Sequence, residues 1–431
     1  MKSLLYLPLI WAALIPSGWG FIVPEVDSAR PFSGHYHATD YQENYRPQFH
    51  FSPRNGWMND INALWYVDGI YHMTYQWGTN KRDAGYTSST DLLHWNDHGL
   101  ALIGRSSHAR DAGAKQNVSG DQIYSGSGIV VSGPVAAKIT GSPKPALITF
   151  YTGTKVGTCI AWSNDHGQTW HNYEKNPVAH PTTGDTPRDP CVIWHEATKK
   201  WVLAIYEEGT TFYGSKDLIT WKRLSNLRFG FECPDLVELP LDGDPEKMKW
   251  VLYDAAGKYL VGHFDGTHFF DENKSKEDLY MDVGPDFYAG QTFFPQTLPE
   301  KKYIQLAWMD EWNGGIDEKP WERNATFPVE LGLVTRDGKM RVTRTPIATI
   351  EKLYTGCTVR ITKQNLNHEN ILNEVRSKAF DMTVSFDLEG ATADEIVFEI
   401  ASIKYRYNIA DQKLMYQGVQ KNKFGSKNPP A

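Results

Sequence analysis

The sequence predicts an all-β fold, a five-bladed β-propeller followed by a short β-sandwich. Three observations carry this. Long helical patterns are scarce, while short β-rich runs recur with turn signals between them. A polar motif running into an apolar strand returns five times, at Trp57-Met58-Asn59-Asp60, Tyr124-Ser125-Gly126-Ser127, Arg188-Asp189-Pro190, Glu232-Cys233-Pro234-Asp235 and Asp286-Phe287-Tyr288-Ala289-Gly290-Gln291. Near Ala348 the texture changes to an Asn-rich connector and a second set of strand patterns.

The five motifs fall roughly 55 residues apart, a period that marks a propeller or a solenoid. Five such units fill residues 46–350. Propellers have typically about 4–8 blades of four strands around a channel, so each unit reads as one blade. Within the units, strands over 63–67 and 70–76 flank Asp68-Gly69, a strong hairpin signal. Residues 146–151 with 158–163, 201–206 with 210–215, and 250–253 with 258–264 repeat the pattern. Ser88-Ser89-Thr90-Asp91-Leu92-Leu93-His94-Trp95 resembles Gly214-Ser215-Lys216-Asp217-Leu218-Ile219-Thr220-Trp221, and residues 163–170 are a longer-spaced relative. Their Ser and Asp side chains suit turn capping, and the Trp suits packing on the next strand.

The first strand of a propeller blade lies innermost, and these strands run in one direction. The motifs should therefore gather Asp60, Asp189 and Glu232 at one mouth. A single motif is more simply a turn feeding a strand. Three acidic motifs in the same place of three repeats point to a site.

Beyond the propeller, residues 357–431 read as an all-β sandwich domain, with strands over 380–388, 396–400, 404–409 and 413–417. This is short for a sandwich and looks incomplete. At the other end, Lys2, an apolar run over 4–15 and small residues at Gly18 and Gly20 read as a secretory signal peptide over 1–20. Residues 21–45 form an N-terminal segment. The apolar run is shorter than the ~20 residues of a spanning helix, and no later run is long enough. The expected location is secreted, extracellular. That makes three N-glycosylation triplets plausible, starting at Asn117, Asn273 and Asn324.

Hydrophobic residues at 41% supply a sizeable core. A net charge of −7, thinly spread, argues against a nucleic-acid or anionic-membrane partner. Aromatic content of 13% fits a ligand with apolar faces and hydroxyls, such as a sugar, and equally an aromatic β-sheet core. The cysteines Cys159, Cys191, Cys233 and Cys357 form no C-x-x-C pair, and their pairing cannot be ranked from sequence. There is no Gly-x-Ser-x-Gly elbow, HExxH or P-loop.

Paired carboxylates on facing strands suggest glycoside hydrolysis, with one carboxyl protonating the leaving oxygen and another attacking the anomeric carbon or activating water. Asn59 can hold Asp60 ionised as a nucleophile. The apolar flanks of Glu232 suit a proton donor. Arg188 should keep Asp189 ionised, as an acceptor for sugar hydroxyls.

Together, His50-Phe51-Ser52-Pro53 to Trp57-Met58-Asn59-Asp60, Tyr75-Gln76 and the motifs at Tyr124, Arg188 and Glu232 resemble glycoside hydrolase family 32, the invertases, inulinases, levanases and fructan exohydrolases. The resemblance implies a five-bladed propeller, a β-sandwich and retaining cleavage of β-fructofuranosides with no metal or other cofactor. It implies Asp60 as nucleophile, Asp189 as transition-state stabiliser and Glu232 as acid/base. Asn59, Gln76, Ser125, Arg188 and Asp286 would bind the fructosyl hydroxyls. Ile61 stands where the family usually has Pro, and Ala63 where it has Gly. Asp83-Ala84-Gly85-Tyr86 replaces a Trp-Gly-His segment, which would remove one aromatic wall of the pocket.

The expected function is thus a secreted β-fructofuranosidase acting on terminal fructosyl units of sucrose, inulin or levan. A fructosyltransferase using the same covalent intermediate and a non-catalytic propeller lectin are the alternatives, with an inverting furanosidase on a related propeller more distant.

Overall fold

The computed structural model describes residues 5–9, 41–43, 46–47, 49–78, 82–107, 115–179, 187–284, 286–293, 298, 302–309, 320–354, 358–362, 370, 372–373, 375–376, 380–400, 403–411 and 413–417. The chain divides into two compact units. One is Val23–Ala348; the other combines Met1–Ile22 with Thr349–Ala431.

The larger unit is a propeller of five antiparallel four-stranded blades. The first holds Gly56–Val67, Ile70–Trp77, Asp83–Ser89 and Trp95–Leu102; the second Ile123–Val131, Ala146–Gly153, Gly157–Ser163 and His171–Asn172. The third holds Arg188–His195, Lys200–Tyr206, Thr210–Ser215 and Lys222–Leu227. The fourth holds Asp235–Leu241, Asp244–Tyr253, Lys258–Phe264 and Phe269–Asp271, and the fifth Tyr288–Thr292, Ile304–Trp308, Val329–Arg336 and Lys339–Pro346. Their first strands touch in cyclic order, and the last returns to the first. Trp321–Glu322 pairs in parallel with Gly56 and Trp57, across the seam between the ends of the ring.

Blades pack through their own apolar clusters, which is why the strands read as apolar on both faces. Trp65, Tyr86, Leu147 and Trp170 bind the first blade to the second. Ile129, Phe150, Val192 and Leu203 bind the second to the third. Val202, Phe212, Leu252 and Phe264 follow, then Val251, Tyr253, Val329 and Leu331.

Local chemistry sets the turns as expected. Asp68 and Gly69 both take positive φ, 50° and 83°, the requirement of a tight hairpin turn. In the repeated Ser/Asp/Trp motif, Ser89 Oγ accepts from the Leu92 N–H at 2.8 Å, Asp91 Oδ1 from His94 at 2.8 Å, and Trp95 Nε1 donates to the Leu92 carbonyl at 3.1 Å. Ser215, Asp217 and Trp221 make the same bonds at 2.9, 2.9 and 3.0 Å.

The smaller unit carries one antiparallel sheet of Glu395–Ile400, Ile403–Asn408 and Lys413–Gln417. Met382–Phe386 pairs with Leu5–Leu9, the one described piece of the expected leader; the rest of residues 1–20 and Cys357 lie outside the described residues. Cys159, Cys191 and Cys233 are buried free thiols.

Candidate active site

Asp60, Asp189 and Glu232 come from three blades, and each stands at the N-terminal end of an inner strand. A local irregularity turns each one. The ladder skips one residue between Met58 and Ile61, between Tyr124 and Gly126, between Arg188 and Cys191, and between Tyr288 and Gln291. Such a bulge sets two residues against one and re-aims a side chain. It does so at Asn59-Asp60, at Ser125 and at Asp189-Pro190. In the fourth blade, Glu232 and Cys233 precede the strand with φ of 57° and 40°. Asp189 is also left-handed, at 62°. Backbone strain of this kind collects at functional sites.

Asp60 is surrounded by donors. Asn59 Nδ2 donates to Oδ1 at 3.2 Å, while the Ser125 hydroxyl and Gln76 Nε2, at 3.5 Å, donate to Oδ2. Gln76 Nε2 also bonds Ser125 Oγ at 2.7 Å, which fixes all three. Burial nevertheless pushes the carboxyl up to about 6, with Glu232 adding to the rise and the Ser125 bond and Arg82 opposing it. The Asn59 amide is in place, but it does not offset the desolvation.

Glu232 is held by a cation and a phenol. Arg188 Nη2 lies 2.6 Å from Oε1, and the Tyr288 hydroxyl donates to Oε2 at 2.5 Å. The apolar flank expected from Phe231 does not form, because that side chain is 53% exposed. Burial and the Glu232 charge push the Tyr288 phenol far above its ordinary range, so it remains a donor.

Asp189 is buried and takes the Cys233 N–H on Oδ2 at 3.3 Å. The expectation that Arg188 keeps it ionised is not met. Arg188 Nε is 3.5 Å away, and its closer contact is Glu232. Burial first, then the charges of Asp60 and Glu232, push Asp189 up to about 7. Cys233 also bridges the carboxylates, with its Sγ 3.6 Å from Asp60 Oδ2.

The structure thus brings Asn59, Asp60, Gln76, Ser125, Arg188, Asp189 and Glu232 into one linked set. From the fifth blade, two residues past Asp286, Tyr288 bonds into it. Tyr288 and Cys233 were missed as site residues, although both lie inside quoted motifs. Arg82 was missed as well and left no signal in the pattern. Tyr86 is no pocket wall: it is 1% exposed and bonds the His72 Nδ1 and the His166 carbonyl. Asp83 is a buried acceptor for the Gly104 N–H at 2.9 Å and the Ser107 hydroxyl. Ile61 and Ala63 are fully buried, and the bulge forms without the family's usual Pro.

Comparison with known proteins agrees with this fold. Residues 50–346 match the Glycosyl hydrolases family 32 N-terminal domain. The chain is 33% identical to a levanase of Bacillus subtilis over 400 residues, covering 84% of this chain and 55% of that protein. It is 32% identical to Invertase 1 of Saccharomyces cerevisiae, covering 67% of this chain and 58% of that one. The chain therefore spans little more than half the length of these relatives. The exo-inulinase structure from Aspergillus awamori superposes with a TM-score of 0.60 at 29% identity, over 71% of this chain and 68% of that one. A fructofuranosidase from Schwanniomyces occidentalis solved with fructose superposes with a TM-score of 0.64 at 24% identity, over 89% and 83%. A propeller with carboxylates gathered from several blades is an architecture found among the glycoside hydrolases. The chain belongs to glycosyl hydrolase family 32.

Proposed function

We propose that this protein is a secreted β-fructofuranosidase that releases terminal fructosyl units from sucrose or a fructan, with retention through a covalent fructosyl–enzyme intermediate. Asp60 attacks the anomeric carbon, and Glu232 protonates the leaving oxygen and then activates water. Asp189 accepts bonds from the fructosyl hydroxyls, with Asn59, Gln76, Ser125, Arg188 and Asp286 as further contacts.

The observation that carries the reading is the contrast between the two carboxylates. Asp60 is ringed by neutral amide and hydroxyl donors, whereas Glu232 sits between a guanidinium and a phenol. Two carboxylates in unlike environments are what double-displacement glycoside hydrolysis needs. The names of the relatives, levanase, exo-inulinase and invertase, support fructosides as the substrate class. Relatives named extracellular support secretion, with a leader over 1–20 and a sandwich domain over 357–431.

Fructose release from sucrose, inulin and levan, assayed in parallel for the wild type and Glu232→Gln, tests the reading. Release by the wild type and its loss in the variant are expected. Equal release by both would overturn it, and NMR showing the α-anomer as first product would overturn retention.

A further inference from the structure

The residue next to the proposed proton donor presents a flat apolar face to solvent. Phe231 is 53% exposed, yet it is held in place. Its N–H donates to Asp254 Oδ2 at 3.2 Å, and its ring packs edge-on against Tyr206, with centroids 5.1 Å apart and planes at 69°. The Arg188 guanidinium lies 4.7 Å from the Tyr206 centroid and 5.7 Å from that of Phe231. The same guanidinium holds Glu232 Oε1 at 2.6 Å. The ledge and the carboxylate are thus organised by one cation. Residues that adjoin the pair in the chain, Glu208, Gly209, Arg228, Phe229 and Gly230, line an open depression of about 410 Å³.

Scattered exposed apolar residues are normal on a surface. An ordered aromatic pair beside a reactive carboxylate is different, since sites for organic ligands combine aromatic surface with a few placed polar groups. We propose that Phe231, backed by Tyr206, is the platform for the leaving-group sugar, and that the adjoining depression takes the next sugar of a longer leaving group. This rests on the fructosidase reading above. The proton from Glu232 goes to the leaving oxygen, so the departing sugar must stand beside Glu232. A sugar ring offers a C–H face to the aromatic ring while its hydroxyls stay turned outward.

The test compares kcat/KM of the wild type, Phe231→Ala and Phe231→Trp on sucrose, 1-kestose and methyl β-D-fructofuranoside, whose leaving group has no ring. In Phe231→Ala the loss on sucrose and 1-kestose should exceed the loss on the methyl glycoside by roughly tenfold, the low end for an apolar contact removed from a substrate site. That loss should lie mainly in KM, and Phe231→Trp should recover it. Equal losses on all three substrates, or no loss on any, would overturn the platform while leaving the fructosidase reading intact. A wild type that releases fructose from none of them would overturn the fructosidase reading and the platform with it.

Discussion

The Tyr288 hydroxyl donates to Glu232 Oε2 at 2.5 Å, joining the fifth blade to the carboxylate that precedes the fourth. With Arg188 on Oε1, it fixes both oxygens of Glu232 before substrate arrives. Tyr288→Phe removes the donor and keeps the ring that packs on Trp308. A hydrogen bond to a charged group is worth about 1.5–3 kcal/mol, so kcat should fall roughly tenfold or more with KM little changed. Steady-state kinetics on sucrose check this, and an unchanged kcat would show that Arg188 alone suffices.

Asp60→Ala and Glu232→Ala should each abolish turnover while leaving the fold intact. General acid–base help alone is worth about 10²–10⁴-fold, and on the proposed mechanism loss of the covalent nucleophile costs more. Azide should restore part of the turnover of the Glu232 variant, because as an anion it attacks the fructosyl–enzyme ester without a base, freeing the Asp60 carboxylate and giving fructosyl azide instead of fructose. Circular dichroism and fructose release on one preparation separate lost chemistry from lost structure.

Asp189→Asn should lose activity and gain stability. The carboxyl titrates near 7 in the fold, against about 3.9 when unfolded. Between those values the native state keeps a proton that the unfolded chain releases, so stability falls as pH rises from about 4 to about 7. Above that window the full penalty of the buried charge is present, and Asn removes it. Melting at pH 7.5 should rise by a few degrees, on the scale of about 2–4 °C per kcal/mol, and the gain should vanish near pH 4. A variant that melts lower at pH 7.5 would instead make the Arg188-Asp189-Pro190 turn a stabilising element.

The acid limb of kcat/KM should follow the Asp60–Asp189 pair. On the proposed mechanism Asp60 must be ionised to attack, and burial lifts it to about 6. Activity on dilute sucrose should therefore decline as pH falls through about 6. Because Asp189 responds to the Asp60 charge, the profile reports values of the coupled pair. Ser125→Ala removes a bond that favours the charged form, so the limb should move to higher pH. A limb left in place would show that the hydroxyl does not tune Asp60.

Two of the three glycosylation triplets carry structural amides. Asn117 Oδ1 accepts from the Ile103 N–H at 2.8 Å and its Nδ2 donates to the Ala101 carbonyl at 2.7 Å. Asn273 bonds the Met340 N–H and carbonyl, each at 2.9 Å. Asn324 is 1% exposed. In protein from a host that adds no glycans, Asn117→Gln should still cost about 1–3 kcal/mol, from leaving buried backbone groups unpaired, and Asn273→Gln, whose partner Met340 is half-buried, should cost about 1 kcal/mol. Thermal melts of such material decide it, and unchanged melting would leave glycan attachment as the only role for these residues.

The blades were legible because their signals are local. Asp68-Gly69 and the Ser/Asp/Trp turns work within a few residues, and motif recurrence places the inner strands. The carboxylates were legible for the same reason, since each begins a repeat. What sequence misjudged was the third dimension between blades. Arg188 was given to its chain neighbour Asp189, but the bulge after it sends its closer contact to Glu232, 44 residues on. In the fifth motif a phenol, Tyr288, bonds into the set, and nothing in its local pattern singled it out. Alternation by twos cannot announce a place where the ladder skips, and Tyr288 borders one such skip.

Those skips also determine which changes in length this fold can survive. A one-residue slip carries a strand's side chains from one face to the other. Deleting Ser125, or either residue of the pairs 59–60 and 189–190, would restore an even ladder while turning its neighbours away from the mouth. Insertions at the exposed Asp68-Gly69 hairpin meet nothing, for a side chain on Gly69 would have open space around it. Lineages descended from this chain should therefore vary in length at the hairpin loops and keep their residue count at the four slips.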